Sequence, residues 1–143
     1  MVSIKGISVQ HPITIIGGNI AGLSAAYHLA CKGCPVTIYE NKIWDKPCGG
    51  AITTEYAHYL IKALDLEIHE IGQPIPQVRF YFSGHRYVET DGLFVTISRH
   101  HLQQQMINRL QKNSNINFIF KHMTLKDLNL CSAQTVLATG YSG

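Results

Sequence analysis

The sequence predicts an α/β fold built on a parallel, Rossmann-like sheet, and three observations predict it. The stretch from Ile13 to Glu40 reads as an apolar strand (Ile13, Thr14, Ile15, Ile16), a glycine turn (Gly17 to Gly22), a small-residue helix (Leu23 to Lys32) and a second apolar strand (Pro35 to Tyr39) closed by Glu40. Two further strands, Asn117 to Phe120 and Thr135 to Ala138, supply the rest of the sheet. Between them, from Val78 to Val88, the pattern changes to two short aromatic-rich strands around Ser83, Gly84 and His85, the signature of an antiparallel hairpin insertion.

The first stretch is a βαβ unit of the dinucleotide-binding kind. Its glycines let the backbone approach a pyrophosphate at the positive end of a helix, and its acid holds a ribose. Gly17 makes the sharp turn out of the strand, and Gly22 removes a side chain where helix and sheet pack closest. Ala21, Ser24, Ala25 and Ala26 keep that helix face thin. Glu40 falls about 20 residues on, where a carboxylate can accept from both ribose hydroxyls and repel a 2′-phosphate. NADP is therefore the least favoured occupant. One position departs from the GxGxxG pattern: Asn19 stands where the second glycine lets the backbone approach the phosphates, and because asparagine tolerates unusual backbone angles the departure weakens the site without abolishing it. The strand and helix together make a long apolar stretch, but two glycines and an asparagine in its middle argue for strand plus core helix over a membrane span.

Further along, Pro47, Cys48, Gly49 and Gly50 form a tight turn. Thr53 is expected to cap a helix running to about Leu66, with Tyr56, Leu60 and Leu64 on its buried face. A separate extended run, Leu93 to Ile97, leads to Ser98. Ser98 caps a predicted amphipathic helix from Arg99 to Lys112, with Leu102, Met106, Ile107 and Leu110 inward. The last strand ends in Ala138, Thr139 and Gly140, small residues that let the backbone pass beside a nucleotide at the carboxyl edge of the sheet.

At 143 residues, 45% apolar and 15% charged, the chain can bury a modest core, and a single domain is expected. A formal charge of +3, carried by scattered basic residues, gives no nucleic-acid surface. The eight histidines are dispersed, without metal-ligand spacing beside a carboxylate or cysteine, so no metal site is expected. Cys31 and Cys34 make a CxxC, but it straddles Gly33 at a helix end, whereas a thioredoxin-type site opens a helix and zinc needs a second pair. No apolar run with a small-residue cleavage site follows Lys5, and no acid/base pair or nucleophile triad suggests hydrolysis. A cytoplasmic protein with reduced thiols is expected.

Four features occur in one order: GGNIAG with Glu40, then KPCGG, then ISRHHLQQQMINRL, then TVLATG. In that order the chain resembles the FAD-binding part of the two-dinucleotide flavoproteins related to para-hydroxybenzoate hydroxylase, and its segment from Lys46 to Gly50 is most similar to the geranylgeranyl reductase branch. The resemblance implies that Gly17, Gly18, Asn19, Ile20, Ala21 and Gly22 line the FAD pyrophosphate. It places Glu40, with Asn41 and Lys42 beside it, at the adenosine ribose, and Cys48, Gly49 and Gly50 toward the ribityl chain and flavin. Arg99 matches the arginine that opens the family's helix and reaches the phosphate or ribityl region, where a guanidinium supplies directional donors. Met123 and Thr124 become backbone neighbours of adenine, and Ala138, Thr139 and Gly140 close over the same end.

The same resemblance implies an FAD-dependent oxidoreductase that reduces isoprenoid double bonds. Its reductant would be NAD(P)H or another donor, and Cys48 would be the candidate for influencing the ring. A small-molecule or isoprenoid lipid substrate follows, with peripheral membrane association through that lipid and no transmembrane segment. An aromatic or quinone-precursor monooxygenase shares every nucleotide motif, and a non-catalytic nucleotide-binding remnant is a third reading. Residues 1–143 would be the amino-terminal part of an FAD/NAD(P)-binding domain, incomplete at the carboxyl end and inactive alone, in which an insertion at about 72–97 begins the substrate sheet.

Overall fold

The computed structural model describes residues 12–42, 50–128 and 134–140. In chain order the elements are β1 (Ile13–Ile16), α1 (Ile20–Cys31), β2 (Val36–Glu40), β3 (Ala51–Thr53), α2 (Thr54–Leu64), α3 (Ile68–Ile71), β4 (Gly72–Tyr81), β5 (Tyr87–Ile97), α4 (Arg99–Leu110), β6 (Ile116–Phe120), α5 (Leu125–Leu128) and β7 (Thr135–Leu137). They fall into two compact units, residues 1–43 with 107–143, and residues 44–106.

The first unit holds a parallel four-stranded sheet in the order β6-β2-β1-β7, the mixed α/β architecture the sequence predicts. β1 has a partner on each side and all four of its residues are buried, which is why it reads as an unbroken apolar run. Ile15, Ile38 and Leu23 are fully buried, and each such side chain contributes about 1.5–3 kcal/mol of transfer free energy. On α1 the residues sealed from water are Gly22, Leu23, Ala26 and Ala30, at helical spacing; of the four small residues expected on this face only Ala26 is buried, and Ala21 is exposed.

The helix α1 begins at Ile20, three residues before the predicted Leu23, because Asn19 caps it. At its other end the chain turns at Gly33, with φ of +77°. There the Gly33 and Cys34 amides donate to the Ala30 and Leu29 carbonyls at 2.9 and 3.1 Å, a left-handed glycine termination. The CxxC thus lies across a helix end, with both thiols free, Cys31 exposed and Cys34 half-buried.

The second unit is an antiparallel sheet in the order β3-β5-β4 with α2 and α3. Thr53 caps α2 by accepting from the Tyr56 amide at 3.2 Å, and the helix stops at Leu64 because Asp65 adopts the left-handed conformation (φ 51°). Leu60 and Leu64 face inward as predicted, but the third inward residue is Ala57, and Tyr56 is exposed and stacks on Tyr59. Three and four residues before Leu60, both are sterically eligible; the smaller one took the packed place.

The predicted hairpin is present and larger than its sequence signal. The run from Leu93 to Ile97 belongs to β5 and is not a separate strand. β4 reaches back to Gly72 through Pro74 and Pro76, which lack ladder donors and so are confined to this edge strand, with a register shift between Ile75 and Gln77. β3 and the one-turn helix α3 were not anticipated; α3 is closed by a capping box between Glu67 and Glu70. Helix α4 starts after Ser98, whose hydroxyl accepts from the His101 amide at 3.3 Å, and it buries Leu102, Met106, Ile107 and Leu110. Among the described residues no helix is long and apolar enough to cross a membrane.

Candidate functional site

Because the sheet of the first unit is parallel, the carboxyl ends of all four strands lie along one edge. That edge gathers Gly17 after β1, Glu40 to Lys42 at the end of β2, Met123 and Thr124 after β6, and Ala138 to Gly140 after β7. Ligands of open parallel sheets bind outside this edge.

Gly17 leaves β1 with φ of +106° while its amide still donates to the Tyr39 carbonyl at 2.8 Å. A Cβ on it would overlap the Ala138 carbonyl and stand 2.9 Å from the Thr139 nitrogen, so the end of β7 runs directly against the bare turn. At Gly22 a Cβ would overlap the Gly17 carbonyl and come within 3.3 Å of the Ala138 side chain. The closeness expected of this glycine is therefore to the turn and to the end of β7.

Glu40 is buried at the lip of the turn. Its Oε2 accepts from the Gly18 amide at 2.6 Å, and its Oε1 accepts from the amides of Asn41 and Lys42 at 2.7 and 3.3 Å. Three backbone donors hold the carboxylate in one orientation. It has about four acceptor sites in all, so capacity remains for a hydroxyl.

Asn19 carries no unusual backbone angle: at φ −72° and ψ 176° it is extended, contrary to the reason expected for it. What accommodates it is capping. Its Oδ1 accepts from the Ala21 and Gly22 amides at 2.9 and 3.1 Å, and its Nδ2 donates to the Ala138 carbonyl. Two donors on one side and a carbonyl on the other fix which way the amide points.

Thr124 is exposed and Met123 half-buried, in a turn tied by Asp127. That carboxylate accepts from the Thr124 amide and hydroxyl at 2.8 and 2.6 Å and from the Lys121 ammonium at 2.7 Å. The Lys121 hydrogen bond, then those from Thr124, hold its carboxyl far below the usual carboxylate range. The spacing Thr124-x-x-Asp127 was the available sequence signal for this helix start, as Asn before an apolar helix was for Asn19.

The other named positions are not in this unit. Gly50 is buried in the second unit at φ +62°, its carbonyl accepting from the Ile97 amide at 2.5 Å, and Arg99 is the half-buried first residue of α4. Cys48 and Gly49 lie outside the described residues.

The strand-end geometry fits a dinucleotide. Glycine at 17 and 22 lets the turn, the start of α1 and the end of β7 close on one another, so that backbone amides and an oriented carboxylate gather at one edge.

Known proteins agree. Residues 15–72 match the NAD(P)-binding Rossmann-like domain. The chain is 34% identical over 73 residues to a digeranylgeranylglycerophospholipid reductase of Sulfolobus acidocaldarius, a stretch covering 48% of this chain and 14% of that protein. In structure it is similar to a geranylgeranyl bacteriochlorophyll reductase-like protein of Thermoplasma acidophilum, with a TM-score of 0.59 at 16% identity over 75% of this chain and 29% of that one. It is equally similar to the flavin-dependent monooxygenase PieE, solved with FAD and substrate, with a TM-score of 0.58 at 14% identity over 79% and 24%. The chain spans less than a third of the length of each of these proteins. Residues 15–72 thus carry a Rossmann-like dinucleotide-binding domain, and the chain shares its fold with the reductase-like and flavin-dependent proteins named above.

Proposed function

We propose that the cradle of Gly17 to Gly22 takes the pyrophosphate of FAD, with Glu40 on the adenosine ribose and Met123, Thr124 and Ala138 to Gly140 around the adenine end. The observation that carries this reading is the convergence of bare glycine backbone and the thrice-bonded Glu40 carboxylate at one sheet edge. When bound, FAD supplies the hydride chemistry, and the chain binds and orients it. Cys48, Gly49, Gly50 and Arg99 would serve the flavin and ribityl half. On this reading residues 1–143 are part of an FAD/NAD(P)-binding domain, and the β4–β5 hairpin begins a substrate sheet.

Within that frame the substrate is an isoprenoid lipid, and the reaction adds a hydride and a proton across a carbon–carbon double bond, with NAD(P)H or another donor as reductant. The 34% identity to the Sulfolobus reductase supports it. A monooxygenase acting on an aromatic ring is the second reading, supported by the equal structural likeness to PieE. Turnover separates them. A flavin-loaded longer chain that includes these residues, given a reductant and a prenyl lipid, should yield the saturated lipid, whereas reductant consumption stimulated by an aromatic substrate, with oxygen uptake and no saturation, would select the monooxygenase.

A further inference from the structure

We propose that Asn19 is a reversible plug of the dinucleotide cradle, a side chain that must leave the start of α1 before a pyrophosphate can be bound there. This rests on the FAD reading and adds a built-in control on affinity to it.

An anion at a helix start is bound by the first free amides and the positive end of the helix dipole. Here the amides of Ala21 and Gly22 already donate to Asn19 Oδ1 at 2.9 and 3.1 Å, and the Gly18 amide donates to Glu40 at 2.6 Å. The Asn19 amide also spans the cradle, donating through Nδ2 to the carbonyl of Ala138 at the end of β7. One side chain thereby spans from helix to strand across the place a phosphate would approach.

The backbone does not require it. At φ −72° and ψ 176° residue 19 is in a region open to any residue, so glycine or aspartate fits without strain. A helix of 12 residues with no acid in its first turn gains from such a cap, which explains why the plug stabilises the nucleotide-free chain. Binding then has to replace those hydrogen bonds with phosphate oxygens. Its affinity is reduced by the fraction of molecules in which the plug is closed.

The test is FAD affinity by calorimetry, with melting temperature of the nucleotide-free protein, for the wild type, Asn19→Gly and Asn19→Asp. Asn19→Gly should bind FAD about tenfold more tightly, the scale of the cap and the Ala138 hydrogen bond lost together, and melt lower without nucleotide. Asn19→Asp keeps the cap to Ala21 and Gly22, loses the donor to the Ala138 carbonyl and adds a negative charge where the phosphate approaches, so it should bind FAD more weakly. FAD binding by Asn19→Gly that equals or falls below the wild type overturns the plug and leaves the FAD site standing. Failure of all three proteins to bind FAD overturns the FAD reading, and the plug with it.

Discussion

Gly17 and Gly33 share a left-handed backbone and differ in everything around it. A Cβ at Gly17 would run into the carbonyl of Ala138, whereas nothing lies within 4 Å of one at Gly33. Gly33→Ala should therefore cost about 1–2 kcal/mol, the conformational penalty alone, and Gly17→Ala about 3 kcal/mol or more, with β7 pushed from β1. Urea denaturation of the two variants measures the difference; equal losses would mean that the β7 end does not press on the turn. Asp127 gives a residue-scale pH prediction. Its folded pKa lies below the unfolded value of 3.8, so it favours the folded state above about pH 3.8 and loses that contribution as pH falls through the folded value. Carboxyl NMR should find Asp127 ionised at about pH 3, and titrating higher once Thr124→Ala and Lys121→Ala remove its two side-chain donors. A midpoint at or above 3.8 in the native chain would contradict the turn as described. The place of Glu40 at the end of the second strand was readable from its distance beyond Gly17; that its carboxylate is held by Gly18, Asn41 and Lys42 was not, since those contacts depend on where β2 ends in space.

Among the elements, α4 and α2 separate strong from weak pattern information. In α4, Leu102, Met106, Ile107 and Leu110 recur at three- and four-residue steps and all four are buried, so periodicity alone identified its inner face. In α2 the stripe was ambiguous between Tyr56 and Ala57, and a large apolar ring is no guarantee of burial when a methyl fits the space. Leu102→Ala should accordingly cost about 2–5 kcal/mol, while Tyr56→Ala should stay within about 0.5 kcal/mol, by urea denaturation. A large loss at Tyr56 would restore the predicted face. The hairpin strands were half-legible: the aromatic alternation marked Val78 to Val88, but β4 continues through Pro74 and Pro76, residues that ordinarily end a strand and here survive only because β4 is an edge. β3 is three residues long, too short for alternation to register, and depends on its pairing with β5.

For the whole molecule, sheet order and motif order reinforce each other. The strands β1, β2, β6 and β7 are parallel neighbours, so Gly17, Glu40, Thr124 and Ala138, far apart in sequence, arrive at one edge. This much was legible because strand, glycine turn, helix and acid recur at fixed spacing; any role for Gly50 and Arg99 of the second unit is suggested only by the resemblance to flavoproteins. On the proposed reading that edge takes FAD in preference to a 2′-phosphorylated dinucleotide, and side-by-side calorimetric titration of the protein with FAD and NADP tests this preference. Saturable FAD binding at one site is expected, with NADP binding at least about tenfold weaker and the gap narrowed in Glu40→Gln. NADP binding as tight as or tighter than FAD, or no binding of FAD at all, would contradict it.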